Sequence, residues 1–531
     1  MNEDKTQMPT DWQFAQELDK LENNGVLMAR VFGKQIALFD TENGVVACDN
    51  RCPHEGYPLS EGNLSTDCVL TCNWHNWKFD LETGENLLGG DRLRTYPVQL
   101  RGPEIWVNIA DPPFAERYQA IIDSLMEAFN DHSYDRISRE IARLVRLGGD
   151  PLDVLRNAIE WSWQKMEFGW THAYAGMADW LTIYIEHADD TEIKLVCLQE
   201  GVAHTAYDVQ REREYPFTDK ISDYDENKFL QAIETENEDD AIAMIRGALR
   251  EGLQFSDLEC ALTRAALNHY NDFGHSLIYV TKADELIRHL GDRIVEPILL
   301  SLVRSIIFAT REDRIPEFRK YQDSLDNWGN AKGSVPAAKN WHYKGINSAL
   351  DLTLECSDAS PSEIYTQLLL ANAHNLLHYD IQQQEKTHIP ISGNVGWLDY
   401  THGLTFGNAV RKQCTRFPVL WPQGLLQMAC FSGRNAAYVA AEVDTEYANV
   451  SEDVQDIENI INKVLDHGQG EYIVSVHWLK TALAVREEIH QLPEPKGKLL
   501  VEALNRFFEA KLKRRHTRRT AYQSLQFVAK E

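Results

Sequence analysis

The chain has 531 residues, 43% hydrophobic and 25% charged, which is too long for one small domain and rich enough in apolar residues to build roughly two to four cores. A formal net charge of −28 disfavours nucleic acid and anionic membrane surfaces as partners. The start, Met1-Asn2-Glu3-Asp4-Lys5, has no apolar leader, and no apolar run is long enough to cross a membrane, so a soluble, cytosolic protein is expected.

Residues 1–22 read as a polar lead-in with a short helix around Trp12–Leu21. From Val26 to Ile109 the pattern is β: Val26–Val31, Lys34–Asp40, Gly44–Cys48 and Ile105–Ile109 alternate with Gly, Asn and Asp turns. Within this stretch stands Cys52-x-His54, then 17 residues, then Cys72-x2-His75. Each half offers one thiolate and one imidazole on a short loop, a donor set that by type alone suits tetrahedral zinc. The other seven cysteines are scattered, as expected of reduced, buried thiols. Asp111-Pro112-Pro113 ends the β pattern, placing a domain boundary at 112/113. From Ala115 the apolar period becomes helical, and 113–531 reads as a large all-α domain. Glu234–Asp240, Lys320–Lys339 and Asp444–Glu452 read as linkers or long loops.

The spacing of the two loops resembles that of Rieske proteins, in which two Cys hold one iron of a [2Fe–2S] cluster and two His hold the other. The flanking residues agree: Pro53, Gly56, Leu59-Ser60-Glu61-Gly62, Trp74, Trp77-Lys78-Phe79-Asp80 and Thr83-Gly84-Glu85. The resemblance implies that Cys52, His54, Cys72 and His75 bind one such cluster within a small all-β domain, 1–112. Members from quinol-oxidising complexes carry an extra Cys in each loop and a Ser after the second His. Here Tyr57 and Trp74 occupy the first two places, and Asn76-Trp77 follow His75. The closer likeness is to Rieske ferredoxins and the Rieske domains of ring-hydroxylating oxygenases, which implies a potential low in the Rieske range.

The helical part carries a degenerate internal repeat. At an offset of 103, Gly149, Leu152, Leu155, Ala158 and His172 match Gly252, Phe255, Leu258, Ala261 and His275. His402-Gly-Leu-Thr-Phe-Gly-Asn-Ala-Val-Arg411 and His477-Trp-Leu-Lys-Thr-Ala-Leu-Ala-Val-Arg486 suggest two more copies, at spacings of 127 and 75. Each unit is expected to place one His at a helix start and to stack on its neighbours. His172, His275 and His402, with His477 as a fourth equivalent, are therefore candidates to line one internal cavity. There they would bind a metal, protonate substrate or take up protons alongside cluster electrons. The alternative is that each His fixes local packing. Asp272-x2-His275 and Asp399-x2-His402 place a carboxylate where it could orient the imidazole.

His374 and His378, at i,i+4 with Asp380 and His388 nearby, have the spacing of a helical chelate, although solvated or core histidines explain them as well. His204, with Glu200 beside it on a helix, reads as a surface pair. The basic run Lys511–Arg519 reads as a solvated helix face that could pair within the chain. The Asp-x2-His-x4-His iron motif of ring-hydroxylating oxygenases is broken by Val280 and Gly407, and no G-x-G-x-x-G follows a strand. The His-x-Leu helix starts, such as His402-Gly403-Leu404, resemble the all-helical questin-oxidase-like proteins of aromatic polyketide oxidation. Electrons are therefore expected from an external reductase or ferredoxin, passing to a small-molecule substrate or metal site in the helical domain, with oxygen as a candidate co-substrate. The alternative is a non-enzymatic redox sensor or carrier whose helical array binds a protein partner.

Overall fold

In the computed structural model, which describes residues 11–269, 271–311, 314–440 and 456–531, the alternation between Val26 and Ile109 is realised as antiparallel sheet. The strands are β1 (Trp12–Glu17), β2 (Val26–Val31), β3 (Lys34–Thr41), β4 (Gly44–Asp49), β5 (Asn63–Leu64), β6 (Val69–Thr71), β7 (Lys78–Asp80), β8 (Asn86–Leu88), β9 (Thr95–Tyr96), β10 (Val98–Arg101) and β11 (Glu104–Asn108). They form three sheets, ordered β1-β11-β10, β2-β3-β4-β9 and β5-β6-β7-β8. One small core joins Phe39, Cys48, Leu59, Leu70, Phe79 and Leu93 with the two loop cysteines, Cys52 and Cys72.

The expected helix over Trp12–Leu21 is half strand. Trp12–Glu17 pairs with β11, from Trp12 opposite Asn108 to Glu17 opposite Glu104, and only Leu18–Asn24 (α1) is helical. The local pattern loses to pairing with a strand far along the chain, which satisfies the same backbone groups and buries more side chain.

Two compact units result, Met1–Asp150 and Pro151–Glu531. The division lies beyond the composition break at 112/113, because the helices α2 (Phe114–Asn130) and α3 (Tyr134–Leu147) group with the sheets. Asp91 explains this. Its side chain is 0% exposed and accepts from Arg139 at 2.7 Å and Arg143 at 2.6 Å, both on α3. Burial pushes the Asp91 carboxyl up, but the two guanidiniums outweigh it and hold the group below its ordinary range. A fragment 1–150 is therefore expected to fold by itself. A fragment ending at Pro113 leaves a buried carboxylate without its partners, a loss on the order of 3–5 kcal/mol. Equal urea midpoints for the two fragments would show that α2 and α3 are dispensable.

In the second unit the four repeat helices are α4 (His172–Glu186), α5 (Asn271–Leu290), α6 (Trp397–Arg416) and α7 (Tyr472–Ile489). Stacked units with one internal cavity are expected from the repeat. The four close into a ring, with α4 against α5, α5 against α6, α6 against α7 and α7 against α4. Outer helices cover them: Thr191–Asp208 on α4, Phe255–Asn268 on α5, Pro361–Leu377 and Trp421–Asn435 on α6, and Glu494–Glu509 on α7. Ring helices are thus enclosed on nearly every side and bury polar as well as apolar residues, which is why their amphipathicity is weak. Close approach needs small residues: a Cβ on Gly176 of α4 would lie 2.6 Å from Val476 of α7.

The linker expected at 234–240 is only a turn at 235–237 between helices Glu226–Glu234 and Glu238–Arg250, and 320–339 contains a short helix, Tyr321–Asp326. Asp444–Glu452 lies outside the described residues. Residues 511–516 are a loop rather than a helix face, and the run pairs within the chain: Lys513 meets Glu385 at 3.1 Å, and buried Arg519 donates to the carbonyls of Gln383 and Lys386. No helix among the described residues is long and apolar enough to cross a membrane.

Candidate functional sites: a two-loop thiol–imidazole centre and a four-histidine centre

The two N-terminal loops have matching backbones. In the first, the Cys52 N–H donates to the Tyr57 carbonyl at 2.8 Å and the Gly56 N–H to the Cys52 carbonyl at 2.8 Å. In the second, the Cys72 N–H donates to the Trp77 carbonyl at 2.8 Å and the Asn76 N–H to the Cys72 carbonyl at 3.0 Å. The fourth residue after each Cys is left-handed, Gly56 at φ +82° and Asn76 at φ +61°; Gly and Asn are the residues that tolerate this best. Each turn therefore presents a buried thiol below and an imidazole above.

Cys52 and Cys72 are 3% and 1% exposed, unpaired by disulfide, and close enough to hydrogen-bond one another. The Nδ1 atoms of His54 and His75 stand 3.1 Å apart. That is the separation of two nitrogens held by one metal ion at about 2.0–2.1 Å each. Burial, opposed by hydrogen bonds from the His54 and Glu55 backbone, pushes the Cys52 thiol up to about 11. An electron-poor metal facing both sulfurs would reverse that cost. Trp77 stacks on His54 at 4.4 Å, and the side chains of His54 and His75 remain 25% and 37% exposed. The donor set fits a cluster with one thiolate-held and one imidazole-held metal.

The second centre lies inside the helical ring. Only His172 stands at a helix start as expected, while His275, His402 and His477 lie in the second turn of their helices; ring closure brings all four together with donor atoms all within 4.8 Å of one another. His172 and His275 approach Nε2 to Nε2 at 2.9 Å, and His402 and His477 at 3.4 Å. Two nitrogens bound to one ion at about 2.0–2.1 Å are about 2.9 Å apart at a right angle and about 3.4 Å apart at the tetrahedral angle. The Nδ1–H of His477 donates to the Ile473 carbonyl at 2.6 Å, which leaves Nε2 as the free donor atom. Burial, then neighbouring cationic groups, hold His172 and His402 well below the ordinary imidazole range, and His477 likewise, so neutral, metal-binding imidazoles are favoured. Just ahead of His275, Gly274 has φ +88°, and a Cβ there would lie 2.1 Å from the Phe406 ring, so only glycine lets α5 pass at this point.

Of the two expected orienting carboxylates, only Asp399 has a described side chain. Asp399 accepts from the Gly396 N–H at 2.6 Å and caps α6, and the Asp272 side chain is outside the described residues. Sequence reasoning missed what lies one to three turns further along the ring. Lys480, three residues after His477, is buried, and its Nζ has no hydrogen-bond partner among the described residues. Burial pulls its ammonium down to about 8. Beyond it an alternating ion chain links all four helices: Asp179–Lys282 at 2.8 Å, Lys282–Glu285 at 2.7 Å, Glu285–Lys412 at 3.0 Å and Lys412–Glu487 at 3.3 Å. Lys480 and Asp179 were discoverable, since they follow ring histidines by helical spacings of three and seven.

His374 and His378 do share a face, with rings 4.3 Å apart, and His342 stacks on His374 at 3.5 Å. This trio is not among the groups of three donors that close around one point in the described residues. Asp380 caps the turn at 381–385, and His388 packs on Tyr522. Burial, then His342 and His378, lower His374 to about 3. A folded-state value below that of the unfolded chain means the folded form binds fewer protons between about 3 and 6.5. Its stabilising share is complete above pH 6.5 and is lost as pH falls toward 3. The His374→Phe variant is expected to lose less of its denaturant midpoint than the parent between pH 7 and pH 4, and parallel losses would remove His374 from the acid response. His204 is no surface pair. It is 3% exposed beneath a second helix layer, with Nε2 3.7 Å from Asp208, while Glu200, also buried, meets His467 at 3.1 Å.

Comparison with known proteins bears on the first centre. A family model described as the Rieske [2Fe–2S] domain matches residues 11–97. The ferredoxin component of a naphthalene 1,2-dioxygenase system from Pseudomonas aeruginosa is 30% identical over 105 residues, covering 19% of this chain and 100% of the relative. A 4beta-methylsterol monooxygenase from Methylococcus capsulatus is 34% identical over 122 residues, 20% of this chain; the chain spans only 33% of that relative's length. Among solved structures, the ferredoxin of carbazole 1,9a-dioxygenase from Nocardioides aromaticivorans IC177 matches 19% of this chain and 100% of its own at 25% identity, with a TM-score of 0.18. These matches assign no function to the helical unit.

Proposed function

The chain belongs to the Rieske [2Fe–2S] family through its N-terminal unit, which binds such a cluster, and on that footing we propose that it is an oxidoreductase whose cluster feeds electrons to a metal held by His172, His275, His402 and His477. The cluster, when bound, takes up and releases one electron at a time. Cys52 and Cys72 hold one side of it, and His54 and His75 hold the other with their outer edges toward solvent. An external reductase or ferredoxin supplies the electrons, in keeping with relatives that are themselves ferredoxin components or oxygenases. A small-molecule substrate is oxidised at the helical centre with oxygen as the second reactant.

The observation that carries this reading is the convergence of four buried imidazoles from four separate helices. Packing alone gives no reason for the same residue to recur at one point on the ring axis. An all-imidazole site suits iron, copper, nickel or zinc, and a site fed single electrons favours the redox-active ions, iron or copper. Elemental analysis of the purified full chain tests it. The expected result is two cluster irons plus one further iron or copper per chain. Two irons and no other stoichiometric metal, even after anaerobic incubation with ferrous or cuprous ion, would overturn the metal centre.

A further inference from the structure

The −28 net charge of the chain is locally reversed beside the cluster loops. A cleft of about 730 Å³ opens against Cys52, Pro53 and His54 and is lined by Arg51, Arg92, Arg94, Arg139, Arg143 and Arg146. Two acids also line it: Asp49, which accepts from the Tyr96 hydroxyl at 2.5 Å, and the exposed Glu55. Half of the arginines come from α3, where 139, 143 and 146 follow the i, i+4, i+7 spacing of one helix face. Arg139 and Arg143 are braced by buried Asp91, and Arg94 by Asp111 at 2.6 Å. Arg92 is 60% exposed and only loosely paired with Glu85 at 3.7 Å, and Arg146 is exposed and makes no ion pair among the described residues. The Arg51 side chain lies over Gly56, on the cluster loop itself.

We propose that this cleft is the docking site of an acidic one-electron carrier protein, and that α3 supplies half of it. The proposal rests on the reading that an external carrier reduces the cluster. A nicotinamide is a poor occupant, because it gives up a hydride and the cluster accepts single electrons. An acidic protein would be repelled by most of this surface, so a confined basic cleft next to His54 both steers it and fixes where its own centre arrives. The braced arginines hold the cleft's shape, and Arg92 and Arg146 are left to meet carboxylates from outside.

The test is stopped-flow reduction of the oxidised full-length protein, followed at the Rieske absorption. The donors are a reduced plant-type [2Fe–2S] ferredoxin, which is acidic, and the methyl viologen radical, a small cation. In the parent protein the ferredoxin rate should fall steeply as salt is raised, since the screening length shortens from about 30 Å at 0.01 M to about 8 Å at 0.15 M. The double variant Arg92→Glu/Arg146→Glu should slow ferredoxin by about 10-fold or more at low salt and flatten that dependence. It should not slow the viologen radical, a cation that the reversed charges attract, and it should leave the electron paramagnetic resonance spectrum unchanged. Arg146→Lys should behave as the parent, as should Lys20→Glu, a charge reversal on α1 outside the cleft. An unchanged ferredoxin rate in the double variant overturns the proposal, as does equal slowing of both donors, which would place the effect at the cluster. If inorganic pyrophosphate binds the cleft but the variants reduce normally, it is a small-anion site and not a docking surface. Absence of any Rieske signal in the parent would instead defeat the underlying cluster reading.

Discussion

The Cys52→Ala protein is expected to lose the visible absorption and electron paramagnetic resonance signals of the cluster completely. The thiol is 3% exposed, faces Cys72 and sits on a turn whose hydrogen bonds to Tyr57 and Gly56 exist to present it. No other cysteine among the described residues stands on either loop, so no substitute can rotate in. Cys48→Ala is the matched control: that thiol is 0% exposed in the same core, is pushed far up by burial, and takes no part in the loops. It should keep full signals with a modest loss of stability. A normal spectrum from Cys52→Ala, or equal loss from both variants, would show that the loops are not the cluster's seat. Because cluster binding is coupled to folding, the Cys52 variant should also unfold at lower urea than the loaded parent.

His275→Ala is expected to empty the helical centre while sparing the cluster. Removing even a residue that only orients a metal ligand typically costs 10–100-fold in metal affinity or activity. Removing one of four donors should therefore exceed about 100-fold. The measurements are metal content of the helical site and turnover, each beside an unchanged Rieske spectrum. If the four histidines only pack the ring, the variant will be less stable but will bind as much metal as its parent, and the metal reading fails. His477 offers a finer test. Its Nδ1–H is committed to the Ile473 carbonyl, so His477→Gln, which lacks an aromatic nitrogen at the same reach, should lose metal even if the ring keeps its packing.

The cluster loops were legible in sequence because everything that defines them is local: Cys, His, the left-handed residue and the Trp77 that stacks on His54 fall within Cys52–Trp77. The histidine centre was half legible. Recurrence of His at equivalent helix positions pointed to a common site, but a repeat pattern carries no information on whether its units extend or close, and the closed ring was not anticipated. The attachment of α2 and α3 was invisible for a different reason. Asp91 finds its partners 48 and 52 residues later, on a helix that reads as the start of the next domain. Trp12–Glu17 was misread because its strand partner stands at the far end of the sheet domain. His204 was misread because a helix that looks half polar is covered on both sides.

Ring closure also bears on the order in which the molecule can be assembled on the ribosome. The first unit is complete at Asp150, but the last helix of the ring ends at Ile489, 339 residues later (489 − 150). At about 5–20 residues per second, roughly 17–70 s separate the two events. No contiguous stretch of chain contains the four ring histidines short of 172–477, so the proposed four-donor site is incomplete until His477 has been made. The cluster loops can be loaded while most of the protein is still being made, whereas the four histidines of the second centre come together only when the last ring helix has been added.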